Sequence, residues 1–101
     1  MTSSIVHEKH ERPSKVVCHM QDVQSRSIRR VGYNEDTQQL VIHFYDSLPG
    51  LRTVYSPVPR DVYEGLMNAP SMGKYLEENI RYVYDFALVD EENLHEPGQT
   101  G

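Results

Sequence analysis

The residues best suited to hold an anionic ligand are arginines interleaved with histidine and tyrosine in the first two thirds of the chain. Guanidinium groups donate to phosphate oxygens, and aromatic rings exposed on a sheet give bases a surface on which to stack. These candidates are Arg29, Arg30, Tyr33, His43, Tyr45, Arg52 and Tyr55. An ordinary solvated sheet with tyrosines in its core would show the same residue types. RNA or nucleotide binding is therefore one hypothesis, and a structural role is the other.

A second candidate is the segment Ser71-Met72-Gly73-Lys74, which opens a predicted helix. Free N–H groups at a helix start can hold a phosphate or carboxylate, especially with no Cβ on Gly73 and with Lys74 beside them. Ser71 is equally explained as a helix N-cap, and Gly73 as a residue needed for tight packing between helices. We favour this structural explanation because every helix start offers the same N–H groups.

No group of residues has the spacing of a catalytic or metal site. Four residues near the N-terminus carry metal-ligating atoms: His7, His10, Cys18 and His19. Their spacing matches no closed zinc site, and Cys18 and His19 are unsuited to act as a nucleophile and base because successive strand residues point apart. Glu77 and Glu78 are predicted to lie exposed on a helix rather than in a pocket. We therefore predict a protein that is not an enzyme and that needs no cofactor or metal.

Length and composition indicate one small domain. The chain has 101 residues, of which 38% are hydrophobic, and it contains no apolar run long enough to cross a membrane. The N-terminus lacks the pattern of a secretory signal, and the single Cys18 cannot form an internal disulfide. We therefore expect a cytoplasmic protein. Because a core of this size is small, association of several copies would increase stability, and a homo-oligomer is one expectation.

The net charge of −5 is distributed unevenly along the chain. Residues 26–60 contain five arginines against three acids, whereas residues 87–101 contain four acids and neither lysine nor arginine. The first half is therefore mildly basic, and the acidity is concentrated in the predicted helices and the C-terminal tail. This acidity argues against strong RNA binding in general, because phosphate contacts dominate the affinity for RNA.

Three strands are predicted before any helix, over residues 27–33, 38–45 and 51–56. The turns between them are short, which requires neighbouring strands to be antiparallel. A bulge near Arg29 is needed in the first strand, because its apolar residues otherwise fall on opposite faces, and the glycine that follows suits a close approach of another backbone. The apolar run at residues 16–20 allows an additional N-terminal strand.

Two amphipathic helices are predicted after these strands. Pro59 suits the first position of one helix, and Pro70 separates it from the second, which Ser71 begins. The order β-β-β-α-α, a three-stranded meander followed by two helices, indicates an α+β fold. The apolar face of the middle strand consists of Leu40, Ile42 and Phe44. We expect both helices to pack on this face and the opposite face to remain free for a ligand.

Several landmarks occur in a fixed order. They are Ile28-x-x-Val31-Gly32-Tyr33-Asn34, Leu40-x-Ile42-x-Phe44, Tyr55-x-x-Val58-Pro59 and Ala69-x-Ser71-x-Gly73-x-Tyr75. Their order and spacing resemble the KTSC domain, a family named for a C-terminal extension of some lysyl-tRNA synthetases. The resemblance covers about residues 25–86, which leaves residues 1–24 as an N-terminal arm and residues 87–101 as an acidic flexible tail. The resemblance implies a bacterial or phage protein. It also implies RNA binding, because the family's domain occurs together with a tRNA enzyme.

Two positions depart from the family's pattern. The central Tyr-x-Tyr of the family is Thr53-Val54-Tyr55 here, and the Phe-Asn after its last glycine-tyrosine pair is Leu76-Glu77. If the missing aromatic ring and amide belong to a binding site, that site is altered in this chain.

Three functions follow as hypotheses. The first is a non-catalytic module that binds RNA or a nucleotide through the exposed arginine and tyrosine face of the sheet. The second is a protein-interaction module, for instance a phage accessory protein, whose acidic helices bind a basic host protein. The third is an oligomer that sequesters a small nucleotide.

Overall fold

The computed structural model describes residues 15–96. Residues 1–14 of the predicted arm, with His7 and His10, and residues 97–101 of the predicted tail lie outside this range. The strands within it are β1 (Val16–Val17), β2 (His19–Asp22), β3 (Ile28–Asn34), β4 (Gln39–Phe44), β5 (Leu51–Ser56), β6 (Asp85–Asp90) and β7 (Leu94–His95). Strands β2 to β6 form one antiparallel sheet in which each strand lies beside the next, and β1 pairs in parallel with β7.

Two helices, α1 (Arg60–Asn68) and α2 (Met72–Asn79), lie between β5 and β6 in the sequence. Pro59 precedes α1 in an extended conformation, and Ser71 caps α2 by accepting a hydrogen bond of 3.4 Å from the backbone N–H of Lys74. The predicted α+β fold, with a strand meander followed by two helices, is therefore confirmed, and the additional N-terminal strand is present. Neither of these helices is long and apolar enough to span a membrane, which holds for residues 15–96 as a whole.

The helices pack on the predicted face of the sheet. Leu40 and Ile42 are fully buried there, and Phe44 packs against the same core. Leu66 from α1 and Leu76 from α2 are buried opposite them. Burial of one such side chain contributes about 1.5–3 kcal/mol relative to exposure, so the apolar stripes of two short helices are enough to fix their position on the sheet.

A bulge in β3 determines which side chains share a face, as predicted. Ile28 pairs with Phe44, but Arg30 pairs with His43, so that Arg29 is an extra residue on β3. The extra residue keeps Ile28 on the helix side while placing Arg30 beside His43 on the other side of the sheet.

The side of the sheet away from the helices, here called the reverse face, carries a second core. Its buried residues are Val16, Cys18, Val41, Val54 and Val89. Strands β1 and β7 lie over this core, so segments near both ends of the described range cover the centre of the reverse face. The expectation that the whole reverse face is free is therefore wrong. Val41 and Val54 are apolar residues that alternate with helix-side residues, and their burial requires a cover.

Side chains, rather than a backbone, make the close approach at the glycine of β3. A Cβ on Gly32 would lie 2.7 Å from the Sγ atom of Cys18 and closer still to the Sδ atom of Met20, whereas the backbone carbonyl oxygen of His19 would lie 3.3 Å away. The glycine therefore lets these two side chains pack against β3 on the reverse face.

The segment assigned to a flexible tail contains ordered structure. Strand β6 pairs with β5 along its length, from Asp85 opposite Ser56 to Asp90 opposite Leu51, and a 3-10 helix (Glu91–Asn93) leads into β7. Acidic residues at both ends of β6 gave this segment the composition of a solvated tail, although Val89 between them is buried in the reverse core.

Candidate functional site

The predicted arginine and tyrosine set is divided between the two sides of the sheet. Arg30 pairs with His43 on the reverse face. Tyr33 and Tyr55 both pair with Leu40, one from each neighbouring strand, and Leu40 lies in the helix-side core. Directly opposed residues share a face, so these two tyrosines lie on the helix side. They do not join the arginines, contrary to the prediction of one combined face.

Both of these tyrosines have structural contacts. The Tyr33 ring stacks on Tyr63 with 4.4 Å between centroids, and its hydroxyl donates a 2.5 Å hydrogen bond to the backbone carbonyl of Val58. Tyr55 is only 4% exposed, so its ring is not a free stacking surface. Burial raises the pKa of both hydroxyls, which therefore stay protonated at neutral pH.

The remaining basic residues form a cluster at the open end of the reverse face, here called the arginine patch. It consists of Arg29, Arg30, His43 and Arg52. Tyr45 follows His43 by two residues, just beyond β4, and its ring is 58% exposed. Of the seven sheet residues predicted to form one site, these five lie on the reverse face, and Tyr33 and Tyr55 do not.

Ion pairs occupy two of the three arginines. The Nε atom of Arg30 lies 2.8 Å from Asp22, and the Nη2 atom of Arg52 lies 2.6 Å from Glu91. Arg52 also donates to its neighbouring backbone carbonyl, and its side chain is only 12% exposed. Arg29 is exposed and has no ion pair within residues 15–96. The patch therefore keeps a positive excess centred on Arg29.

The pKa of His43 responds to the charges of the patch. Burial lowers the pKa of His43 most, and the nearby charges of Arg52, Arg29 and Arg30 lower it further. Its Nδ1 atom is enclosed and has no hydrogen-bond partner among the described residues. The imidazole is therefore neutral at pH 7, and the positive charge of the patch comes from the arginines.

The helix side carries a cleft of about 650 Å³, here called the helix-side groove. Its floor is formed by sheet residues Phe44, Thr53, Tyr55 and Phe86, and its wall by Lys74, Leu76, Glu77, Arg81 and Tyr82 in and after α2. The groove exists because the two short helices cover only part of the sheet. Thr53, where the family's pattern has an aromatic ring, lies on its floor, and Glu77 lies on its wall.

The predicted helix-start site lies at one end of this groove. Ser71 and Gly73 line an adjoining depression of about 340 Å³, and Gly73 and Lys74 line the groove itself. A Cβ on Gly73 would lie 2.7 Å from the Oγ atom of Ser27, so the glycine allows the helix start to approach the beginning of β3. These contacts support the explanation of Ser71 as an N-cap and of Gly73 as a packing residue.

Arg81, Tyr82 and Phe86 were not among the predicted site residues. The apolar stripe of the second predicted helix runs on to Val83 and places Arg81 on the exposed face of that helix, whereas α2 ends at Asn79. Phe86 lies where the predicted pattern ends and the predicted tail begins. Exposed rings in that region are visible in the sequence, but the sequence does not show that β6 returns to the sheet beside Tyr55.

The only cysteine is enclosed in the reverse core. Burial raises the pKa of Cys18 to about 11, and the nearby charge of Glu96 raises it in the same direction. His19 points instead toward Glu96, with 2.7 Å between its Nδ1 atom and a carboxylate oxygen. Within residues 15–96, no three histidine, cysteine or acidic side chains lie close enough together to hold a metal ion.

Comparisons with known proteins point to one family. The family model described as the KTSC domain matches residues 24–84. The crystal structure of a KTSC domain protein from Yersinia pestis superposes with a TM-score of 0.66 and 25% sequence identity, over 71% of this chain and 97% of that chain. No curated protein matches the chain significantly. Strands β1, β2, β6 and β7 lie outside residues 24–84, whereas all four residues of the arginine patch lie within them.

Proposed function

This chain belongs to the KTSC domain family, and we propose that it is a non-catalytic module that binds RNA through its arginine patch. The observation that carries the proposal is the position of Arg30 opposite His43 in the sheet, with Arg29 beside it in the bulge and Arg52 on the neighbouring strand, in a protein whose net charge is −5. Asp22 and Glu91 pair with two of the three arginines, so the patch keeps a positive excess at Arg29 that a bound anion would neutralise. Phosphate groups match guanidinium geometry and accept two hydrogen bonds from it.

The three arginines differ in how readily they contact a phosphate. Arg29 is exposed and has no ion pair among the described residues, and Arg30 has one partner, Asp22, which is also exposed. Exposed ion pairs contribute only about 0–1 kcal/mol, so a phosphate replaces Asp22 at small cost. Arg52 is mostly enclosed and held by Glu91, and its role is to add positive potential beneath the other two.

Tyr45 adds a surface for a base next to the phosphate contacts. Its ring is exposed, and the backbone N–H of Tyr45 is fixed by a 3.0 Å hydrogen bond to the carbonyl of Ser27. Stacking of one base on an aromatic ring is worth about 1–3 kcal/mol. A short single strand would therefore place a phosphate on Arg29 and Arg30 and a base on Tyr45.

The non-catalytic part of the proposal rests on side-chain chemistry. The Cys18 thiol is enclosed and stays protonated at neutral pH because its pKa is about 11, which makes it a poor nucleophile. His43 is surrounded by positive charge rather than by a carboxylate that would orient it as a base.

The test is binding of a fluorescein-labelled single-stranded RNA, followed by fluorescence anisotropy at several salt concentrations. Two phosphate contacts predict a slope of log K against log salt of about −1.4, since each contact contributes about −0.7 for a single strand. The double variant Arg29→Glu/Arg30→Glu should abolish binding. Tyr45→Ala should weaken binding while leaving the slope unchanged, because it removes stacking and no charge.

The matched control is the double variant Arg60→Glu/Arg81→Glu. It changes the net charge by the same amount, but Arg60 and Arg81 are exposed residues in or after the helices, outside the arginine patch. The control should retain most of the RNA affinity. Equal losses in the two double variants would mean that only net charge matters, and unchanged binding by Arg29→Glu/Arg30→Glu would refute the proposed site.

A further inference from the structure

Two exposed aromatic residues border the helix-side groove, one on its floor and one on its wall. The ring of Phe86 is 62% exposed and that of Tyr82 is 80% exposed, although each borders the groove. Phe86 is fixed against Tyr55, with 6.2 Å between ring centroids and 50° between ring planes. Its position is therefore set by the sheet, and its exposed surface faces a cleft whose volume lies in the range of about 300–1,000 Å³ typical of small-ligand sites.

The groove and the depression that adjoins it differ in the chemistry of their lining residues. The adjoining depression of about 340 Å³ is lined by Ser25, Arg26, Ser27 and Ser71, and none of its described lining residues is acidic. Asp46 also borders the groove, and its neighbour Tyr45 is hydrogen-bonded through its backbone N–H to the carbonyl of Ser27. The depression therefore offers hydroxyl groups and positive charge, and the groove beside it offers aromatic surface.

The cations near the serine-lined depression are uncommitted. Lys74 and Arg26 have no ion pair within residues 15–96. Arg81, by contrast, is paired with Glu77 and lies 5.4 Å from the centroid of the Tyr82 ring. A bound anion would therefore be neutralised by Lys74 and Arg26, while Arg81 holds the Tyr82 ring in place.

We propose that the helix-side groove binds a nucleoside monophosphate, with its phosphate at the serine-lined depression beside Lys74 and Arg26 and its base against Phe86 and Tyr82. A planar ring carrying a single anionic group matches this sequence of surfaces. A longer nucleic acid does not, because Lys74 and Arg26 are the two cations of the groove and depression without an ion pair among the described residues, which is enough for one phosphate group. This site is separate from the arginine patch, since it lies on the opposite side of the sheet.

The experiment is isothermal titration calorimetry of the full chain with AMP, GMP, CMP and UMP, alongside adenosine and inorganic phosphate. At least one monophosphate should bind, and it should bind more tightly than either adenosine or phosphate alone because the depression and the aromatic residues of the groove both contribute. Phe86→Ala and Lys74→Glu should each weaken this binding at least about tenfold, the loss expected when one stacked ring or one phosphate contact is removed. Lys74 is exposed, so Lys74→Glu should keep the melting temperature of the wild type. Phe86→Ala loses the contact with Tyr55, so its binding is measured well below its own melting temperature.

Variants of the two surfaces separate this proposal from the RNA-binding proposal. Arg29→Glu/Arg30→Glu should leave monophosphate binding unchanged, and Phe86→Ala should leave RNA binding unchanged. The groove proposal is overturned if no monophosphate binds at millimolar concentration, or if phosphate alone binds as tightly as the nucleotide. It is equally overturned if light scattering shows a dimer that Phe86→Ser dissociates, because a second copy of the chain would then cover the groove.

Discussion

Val89 provides the sharpest test of whether β6 and the reverse core belong to the fold. Its side chain is 1% exposed and packs in the cluster that also contains Val16, Val41 and Val54. The substitution Val89→Ala removes two methyl carbons, and at about 0.8 kcal/mol for each the lost burial amounts to about 1.6 kcal/mol. A residual void of about 30 Å³, the volume of one water molecule, adds about 0.7 kcal/mol at 24 cal/mol per Å³. We therefore expect a loss of about 2 kcal/mol.

Urea denaturation followed by far-UV circular dichroism measures this loss. For a domain of this size, 2 kcal/mol corresponds to a decrease in melting temperature of about 8–16 °C. The matched control is Val83→Ala, which removes the same atoms from a residue that is 62% exposed. This control should change stability by no more than about 0.5 kcal/mol. If the two variants are equally stable, Val89 is not buried, and the assignment of β6 to the reverse core beneath β1 and β7 fails.

Two further predictions concern titratable groups on the reverse face. An NMR titration should place the pKa of His43 below its ordinary value of 6.5, and Arg29→Gln should move it back toward 6.5, because burial and the patch arginines disfavour the charged imidazole. Since the folded-state pKa is lowered, the unfolded chain binds more protons below pH 6.5, so wild-type stability relative to His43→Asn should fall between pH 7 and pH 5; a constant difference would contradict this. Cys18, with a pKa of about 11, should react with iodoacetamide at pH 8 at least about 100-fold more slowly in the native protein than in urea, and equal rates would contradict its burial.

The elements with strong local signals were predictable from the sequence. The alternation of β4 identified the face that receives the helices, and Pro70 followed by Ser71 located the break between them. The bulge was predictable because Ile28 and Val31 must both reach one core, which a regular strand does not permit. Each of these signals depends on residues within one element, so no long-range information was needed.

The orientation of β5 was not predictable from its own residues. Leu51, Thr53 and Tyr55 alternate with residues that are equally able to be buried, as Val54 shows. The register with β4 decides the question, because Tyr55 lies opposite Leu40. Register depends on how two strands meet, and for this reason the sequence placed Tyr55 with the arginines although it lies on the other side of the sheet.

The cover of the reverse face was hidden for a related reason. Strands β1 and β7 have two residues each, and they pair with one another from opposite ends of the described chain. A two-residue strand has no recognisable period, and a parallel pairing between distant segments leaves no local signal. The buried faces of Val41 and Val54 were the available clue, because apolar residues on both faces of a central strand indicate that both faces are covered.

The strands outside the matched segment shape both candidate surfaces, but in different ways. Strands β1 and β7 cover the centre of the reverse face and thereby confine the open part to the arginine patch, whose four residues all lie within residues 24–84. Strand β6 adds Phe86 to the floor of the helix-side groove, so one aromatic residue of that floor comes from beyond the matched segment. If both proposals hold, Phe86→Ala separates them, because Phe86 lines the helix-side groove and is not part of the arginine patch: RNA binding should persist, whereas nucleotide binding should weaken.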